Sequence, residues 1–545
     1  MRTKLGLARF CAVTYALFLT WYVAAVGVSQ VPSLPSTRIT ELESVFRRGV
    51  QLERECRWGE AVAHYEEAIL EHPEQLDLSQ RAASARVHFD ISRRYADSSY
   101  LEALAATDAQ SALNLYAEVL NKIETHYVTS PNWHGLTERG VINLEVAVSD
   151  AMFSKRHLTG VSEDKITDAR AELHSSLNRD AIASRRAAIN FVSWAANYMN
   201  RHLQVAPEAT IFEFTCAAVS SLDNYSAYLT SDQLGDVFSQ IEGNFVGLGV
   251  ELKSSENSLL IVHSIRGGPA HTAGIRKGDR IISVDGKTMQ DVTTDRAADL
   301  LKGAEGMPVY VRVLAPDQTV RDLKLIRRRV EVPSVEDVKM LHPGVGYLNL
   351  TSFQKTSARE VDTALWELHR QGMRSLVLDL RGNPGGLLPA AVDIADKFVS
   401  SGTIVTTRGR SVQENAQYRA HTVGTWRVPL IVLIDRDSAS ASEILAAAIC
   451  DHQRGTVVGE KSYGKGSVQA IFRLNALDAG VRFTTAKFYS PKGTAISKRG
   501  VVPDIAVRRA AKPAFDAAGI PAESSDHDPI LKAAVQVAHQ QLSQR

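Results

Sequence analysis

The chain has 545 residues, too many for one hydrophobic core, so roughly three or four domains are expected. Its 44% hydrophobic and 23% charged content is ordinary for a globular protein. A formal net charge of +1 supplies no global basic field, so composition gives no ground for a nucleic-acid partner or for general attraction to anionic lipid.

Arg2, Lys4 and Arg9 precede an almost unbroken apolar run from Phe10 to Val28. About 18 apolar residues is long for a cleaved leader and just enough to span a bilayer. Residues 1–30 are therefore expected to be a signal peptide cleaved near Ala25-Val26-Gly27 or, preferred here, a membrane anchor. Positive residues before the run leave that end in the cytoplasm and send the rest across. No later stretch is comparable. Cys11 lies in the run, and Cys56, Cys216 and Cys450 stand in unrelated segments without metal-ligand spacing, so neither a disulfide framework nor a metal site is expected.

Residues 38–120 are rich in Ala, Leu, Glu and Arg and read as helical. Gly49, Ala61, Tyr65, Ala68 and Pro73 fall where a tetratricopeptide-like unit puts small residues between touching helices, an aromatic among them and a terminating proline. A generic helical hairpin accounts for them equally; a real repeat would offer a place for an adaptor protein. Residues 121–238 continue as helices and end in Leu222-Asp223-Asn224-Tyr225-Ser226.

From Gly243 the texture changes to short glycine-punctuated strands, with one helix expected near residues 294 to 302. Pro269-Ala270, Ala273-Gly274, Gly278-Asp279 and Asp285-Gly286 together make residues 239–329 resemble a PDZ domain, a small partly open β-barrel. The resemblance implies that Gly247, Leu248 and Gly249 offer amides to a peptide's terminal carboxylate and that Val250 to Leu252 take the peptide as an added strand. Physically, glycines let successive N–H groups converge on an anion.

After Arg327-Arg328-Arg329, read as a solvated strand end, apolar strands alternate with helices over 330–512. Strands are expected at Val345 to Leu350, Ser375 to Leu380, Leu430 to Ile434 and Gly455 to Gly459, and helices at Ser357 to Gln371, Pro389 to Val399 and Ala441 to Cys450. This is an α/β layer. Residues 513–545 are expected to form a tail with a helix.

Three motifs in the layer carry chemistry. Asp379-Leu380-Arg381-Gly382-Asn383-Pro384-Gly385-Gly386 runs from a strand into a turn that can aim backbone N–H groups at an oxyanion. Ser438-Ala439-Ser440-Ala441-Ser442-Glu443 follows a strand and opens a helix; a serine there is either an exposed nucleophile or an ordinary helix cap. Gly464-Lys465-Gly466-Ser467-Val468-Gln469 holds a lysine that is either a surface turn residue or a base kept where backbones approach closely. As a base near neutral pH it needs burial to disfavour its charge.

With Tyr489-Ser490-Pro491-Lys492-Gly493 and Gly500-Val501-Val502-Pro503-Asp504-Ile505, these motifs resemble, in order over about residues 120 to 510, the carboxyl-terminal processing peptidases. The resemblance implies a multidomain α+β protein: helical N-terminal region, PDZ β-barrel and α/β protease core. It implies a serine endopeptidase needing no cofactor or metal, with Ser440 as nucleophile, Lys465 as base and Gln469 holding the lysine. It further implies that the amides of Gly386 and Ala441 form the oxyanion hole and that Val250 joins Gly247 to Gly249 in peptide binding. Substrates would be exported or unfolded proteins with apolar C-termini. The location would be beyond the inner membrane, periplasmic and anchored by the N-terminal segment. Asn224, where proline is common, and the extended helical region depart from the family pattern without touching the dyad.

A trypsin-like protease would need Gly-Asn-Ser-Gly-Gly, but Gly382-Asn383-Pro384-Gly385-Gly386 has no serine; His421 and His452 lie in no recognisable motif. A zinc peptidase lacks its HExxH. A non-catalytic scaffold of repeat and PDZ modules is disfavoured by Ser440, Lys465 and Gln469 occurring together.

Overall fold

The computed structural model describes residues 36–179, 182–255, 258–290, 292, 300–508 and 528–544. The expected leader or anchor at 1–30 and most of the helix expected near 294 to 302 lie outside them. The chain divides into two compact units, Met1–Asp90 and Ile91–Arg545.

In the first unit, the helices Ser36–Arg54 and Trp58–Glu71 form a hairpin followed by the start of Leu76–Ala96. Leu52, Ala61, Tyr65, Ala68, Leu78, Ala82 and Ala85 make its buried cluster. A Cβ at Gly49 would overlap the Tyr65 ring, so the glycine is what lets the two helices touch. Tyr65 donates its hydroxyl to Glu53 at 2.8 Å, and Arg81 pairs with the same carboxylate at 2.8 Å.

The second unit begins helical. Asp97, Asp108, Asn132 and Ser184 each cap a helix N-terminus by accepting backbone N–H groups, which sets where the next helix starts. The helices Ala109–His126, Trp133–Ser149 and Arg185–Leu203 surround Pro207–Ser220, which is buried along nearly its whole length. Its Glu213 is fully buried and accepts from Arg94 at 2.5 Å and Asn143 at 2.6 Å, so the burial cost of the carboxylate is compensated locally. Helix stops at Ser220 rather than running on. Asp223 Oδ1 accepts the Tyr225 N–H and the Ser226 hydroxyl, each at 2.9 Å, and this turn feeds Ala227–Leu229 into antiparallel pairing with Gly480–Tyr489. The helical region is thereby stitched to a strand of the distant protease core.

The PDZ sheet runs, strand beside strand, Val250–Ser255, Ser258–Ser264, Arg280–Val284, Pro308–Leu314 and Val320–Ile326. Alternate residues such as Ile261, Ile281, Val309 and Val311 close its core. Between Val246 and Leu252 the chain turns at Gly247 to Gly249, where Gly249 has a φ of 74°, in the left-handed region glycine tolerates. Asn244–Gly247 pairs with Arg328–Glu331, and Val250–Ser255 becomes a sheet edge. Arg327 corrects the reading of the arginine triplet: it is buried and donates to the carbonyls of Leu300, Leu301 and Pro308 at 2.9–3.0 Å, while Arg328 and Arg329 are exposed.

The protease core holds a six-stranded sheet in the order Val335–His342, Val345–Leu350, Ser375–Asp379, Leu430–Ile434, Thr456–Gly459, Ile505–Ala506, parallel after its first pair. Its central strand Leu430–Ile434 is apolar at every position, and Ser375–Asp379 is apolar between its two ends, because both faces are covered. Leu376, Leu378, Leu430 and Val432 face the helices Ser357–Arg370, Leu388–Asp396 and Ala441–Asp451. Val377, Ile431 and Leu433 face Pro529–Ser543. A second sheet, not anticipated from the sequence, joins Ala227–Leu229, Gly480–Tyr489, Thr403–Gly409, Ala416–Arg419 and Ser467–Arg473.

Candidate active site

Ser440 sits where the strand Leu430–Ile434 gives way to the helix Ala441–Asp451, with φ 57° and ψ −112°. A non-glycine residue at positive φ costs of order 1–3 kcal/mol and persists only where its surroundings hold it. They do so here. The flanking serines are spent on structure: Ser438 donates to the Leu380 carbonyl at 2.8 Å and Ser442 to the Asn383 carbonyl at 3.0 Å. Ser440, partly exposed, opens the helix in a capping box with Glu443, and its hydroxyl donates to no group among the described residues, which separates the middle serine from its neighbours.

Glu443 is fully buried one turn into the helix and organises the site. Its Oε2 accepts the backbone N–H of Ser440 at 2.8 Å and of Lys465 at 2.9 Å; its Oε1 accepts the Ser462 hydroxyl at 2.6 Å and the Gly464 N–H at 2.7 Å. Burial pushes its carboxyl above the usual range, opposed by these four donors. The glycines flanking Lys465 are both used: Gly464 has φ 96°, and a Cβ at Gly466 would overlap the Ser497 backbone. Of the two readings of Gly-Lys-Gly, close backbone approach is the one realised.

Lys465 is partly buried. Its pKa is lowered, first by burial and then by the nearby Arg482 charge, against weaker opposing attraction from Glu443 and Asp223. No hydrogen bond joins it to Ser440; Nζ lies 4.7 Å from the centroid of the Tyr225 ring. Gln469 likewise does not hold the lysine, donating instead to the Ser467 hydroxyl at 2.9 Å. Ser440, Lys465 and Gln469 nonetheless line one cavity of about 870 Å³.

That cavity is also lined by Gly247, Leu248, Gly249 and Val250 of the PDZ domain and by Gly385 and Gly386 of the turn. The N–H groups of Leu248 and Gly249 donate to no backbone group among the described residues, and Val250 opens the edge strand of the PDZ sheet. The turn is braced by fully buried Asn383, which donates to the Leu350 carbonyl at 2.7 Å and accepts the Gly385 N–H at 2.8 Å. Phe353 pairs with the backbone on both sides of Gly386, leaving the Gly386 N–H, like that of Ala441, without a backbone acceptor among the described residues. Two such donors flanking a serine can stabilise a developing oxyanion. A second cavity of about 290 Å³ also meets Ser440, its lining mixing Leu387, Ile444, Ala486 and Phe488 with Glu414 and Gln469.

Neither histidine of the alternative reading reaches these cavities. His421 pairs with Asp396 at 3.0 Å and His452 meets the Thr403 carbonyl at 2.7 Å. Sequence reasoning quoted Glu443 and Tyr225 within motifs without giving either a role, and passed over Arg482. For Glu443 a signal existed, the Ser-x-x-Glu spacing of a helix start.

Residues 344–507 match the model of Peptidase family S41, and residues 237–314 match that of the PDZ domain. A "Carboxy-terminal-processing protease" of Bartonella bacilliformis is 36% identical over 296 residues, covering 53% of this chain and 67% of that protein. A "Carboxyl-terminal-processing protease" of Synechocystis sp. is 35% identical over 298 residues, covering 53% of this chain and 69% of that protein. A solved structure described as a photosystem II D1 C-terminal processing protease aligns over 77% of this chain and 99% of that one, at 26% identity and a TM-score of 0.41. With its PDZ domain set before an S41 core, the chain belongs to the carboxyl-terminal processing proteases, a family of serine-type peptidases.

Proposed function

We propose that the protein cleaves polypeptides by a Ser440/Lys465 acyl-enzyme mechanism after docking their apolar C-terminal tails in the PDZ groove. The observation that carries this reading is the convergence of both backbones on Glu443, beside a cavity shared with the PDZ loop. Lys465, moved off Tyr225 and uncharged, takes the Ser440 proton as Oγ attacks the scissile carbonyl. The oxyanion is met by the N–H groups of Gly386 and Ala441. The protonated lysine then gives its proton to the leaving amine, and water repeats the sequence to release the acyl group. Gln469 is given the role of holding the lysine in that engaged position. The tail's carboxylate is received at Leu248 and Gly249, and its backbone extends the edge at Val250.

The test is cleavage of an unfolded protein ending in an apolar or a charged tail, by wild type, Ser440→Ala and Lys465→Ala. Cleavage by wild type alone, faster with the apolar tail, is the expected result. Activity surviving in Lys465→Ala would remove the dyad, and equal rates for both tails would remove the recognition rule. Equal tail binding with no cleavage by any form would favour a scaffold.

The basic residues and apolar run at the N-terminus support export, with residues 1–30 as leader or inner-membrane anchor and the protease in the periplasm. No helix of the described residues is long and apolar enough to cross a membrane, and the run itself lies outside them. Fractionation with and without residues 1–30 tests this: a soluble cytoplasmic product from the full chain would sink it. The helical hairpin of residues 36–71 is offered as an adaptor site; a deletion that leaves degradation of every cellular substrate unchanged would exclude it.

A further inference from the structure

We infer that Tyr225 is a positioning residue for Lys465, its ring holding the ε-ammonium in a parked place from which the lysine must leave, uncharged, to reach Ser440. The inference rests on the Ser440/Lys465 reading and adds a residue from the helical region to it.

The geometry is specific. Lys465 Nζ stands 4.7 Å from the Tyr225 ring centroid, within the range at which a ring face attracts a cation. It makes no ion pair among the described residues, and the ring is the group it lies over. Tyr225 is held from three sides: Asp223 Oδ1 accepts its N–H at 2.9 Å, Arg482 Nε donates to its carbonyl at 3.2 Å, and Ala227–Leu229 anchors the chain just beyond it in the second sheet. A surface tyrosine covering a lysine by chance would not need this framework.

The charged and titratable groups around the lysine come from each packed element. Glu443 faces it from the helix beginning at Ala441, Arg482 from the strand Gly480–Tyr489, and Asp223 and Tyr225 from the turn after Pro207–Ser220. Tyr463 interacts with the Tyr225 hydroxyl. Burial and Arg482 disfavour the ammonium, while the ring, Glu443 and Asp223 favour it. Only the ring does so without offering a hydrogen-bond acceptor, so it binds the charged form and has little hold on the neutral amine. Loss of the proton therefore both makes the base and releases it.

The sign of the test follows. A ring that stabilises the ammonium delays deprotonation, so removing the ring lets the neutral amine form at lower pH. In Tyr225→Leu the acid limb of the kcat/KM profile should move to lower pH. Relative to the plateau, kcat/KM below the limb should rise about three- to tenfold. Tyr225→Phe, which keeps the ring, should hold the limb in place. Should Tyr225→Leu not fold, phenylalanines carrying one, two and three fluorines at position 225 weaken the ring's attraction with little change of shape. The limb should then move stepwise toward acid. A merely structural role would lower kcat without moving the limb, and an unmoved limb in folded Tyr225→Leu or across the fluorinated series overturns the inference. Cleavage by Lys465→Ala would instead overturn the dyad itself, so the two failures are distinguishable.

Discussion

Ser440 and Lys465, remote along the chain, point their backbone N–H groups at a single oxygen, Glu443 Oε2, at 2.8 and 2.9 Å. Their relative placement is thus set by a buried carboxylate rather than by contact between their side chains. All four groups bonded to Glu443 are donors. In Glu443→Gln one acceptor oxygen becomes an NH2 facing other donors, so at least one buried polar group is left unsatisfied. The expected cost is about 1–3 kcal/mol of stability in urea unfolding. Cleavage should fall further than the loss of folded protein explains, because the serine and the lysine loop lose their common reference. Wild-type stability together with wild-type kcat would contradict the assignment.

The turn beside Ser440 tolerates no side chain at Gly385. Gly385 has φ 101°, and a Cβ there would lie 2.7 Å from the Ala439 carbonyl oxygen, 2.8 Å from Ser440 Cβ and 2.9 Å from the Ala441 nitrogen. Two of those neighbours are backbone and cannot yield cheaply. Gly385→Ala should therefore displace either the turn or the serine, reducing kcat by roughly 10²–10³ as the loss of an oxyanion donor does. Binding of a tail peptide to the PDZ groove should persist, and fluorescence titration of such a peptide separates the two effects. A variant with unchanged kcat would show that the turn does not adjoin the reacting atoms.

Arg482 and Tyr225 act on Lys465 with opposite signs. The guanidinium is itself disfavoured by burial and by Arg93, and it is the second cause, after burial, of the depressed lysine pKa. Arg482→Gln keeps a donor for the Tyr225 carbonyl and removes the charge. The ammonium is then less disfavoured, the lysine pKa rises, and the acid limb of kcat/KM should move to higher pH, opposite to Tyr225→Leu. A limb that stays put in Arg482→Gln would remove the electrostatic role.

Where neighbouring residues settle a local conformation, the sequence was legible. The apolar runs Val345–Leu350 and Leu430–Ile434 emerge as strands buried on both faces, and Pro384-Gly385-Gly386, Ser440 and Lys465 line one cavity. What escaped depends on pairing across long separations. Ala227–Leu229 is too short to read as a strand until Gly480–Tyr489 offers it an edge. Arg327 lies buried among carbonyls that only the folded PDZ domain assembles. Tyr225 under Lys465 is of the same kind, since no spacing rule links a turn after one helix to a loop hundreds of residues on.

The C-terminal helix Pro529–Ser543 is part of the protease core. Asp528 caps it and also accepts Arg381 Nη1 at 2.7 Å, while Arg381 Nη2 pairs with Asp379 at 2.6 Å at the end of a central strand. The helix buries Ile530, Ala534 and Ala538 against Val345, Val377, Ile431 and Leu433. Ile530→Ala should cost about 2–5 kcal/mol, as removal of a fully buried aliphatic group does. Removing residues 528–545 should do worse: it uncovers a contiguous apolar sheet face and leaves Arg381 with one carboxylate, so aggregation is the expected outcome on heating. Light scattering and urea unfolding of the two variants test this. A truncated protein that stays monomeric with an unchanged midpoint would mean that the sheet does not depend on the helix for its second cover, and that the apolar Val377, Ile431 and Leu433 on that face have another explanation.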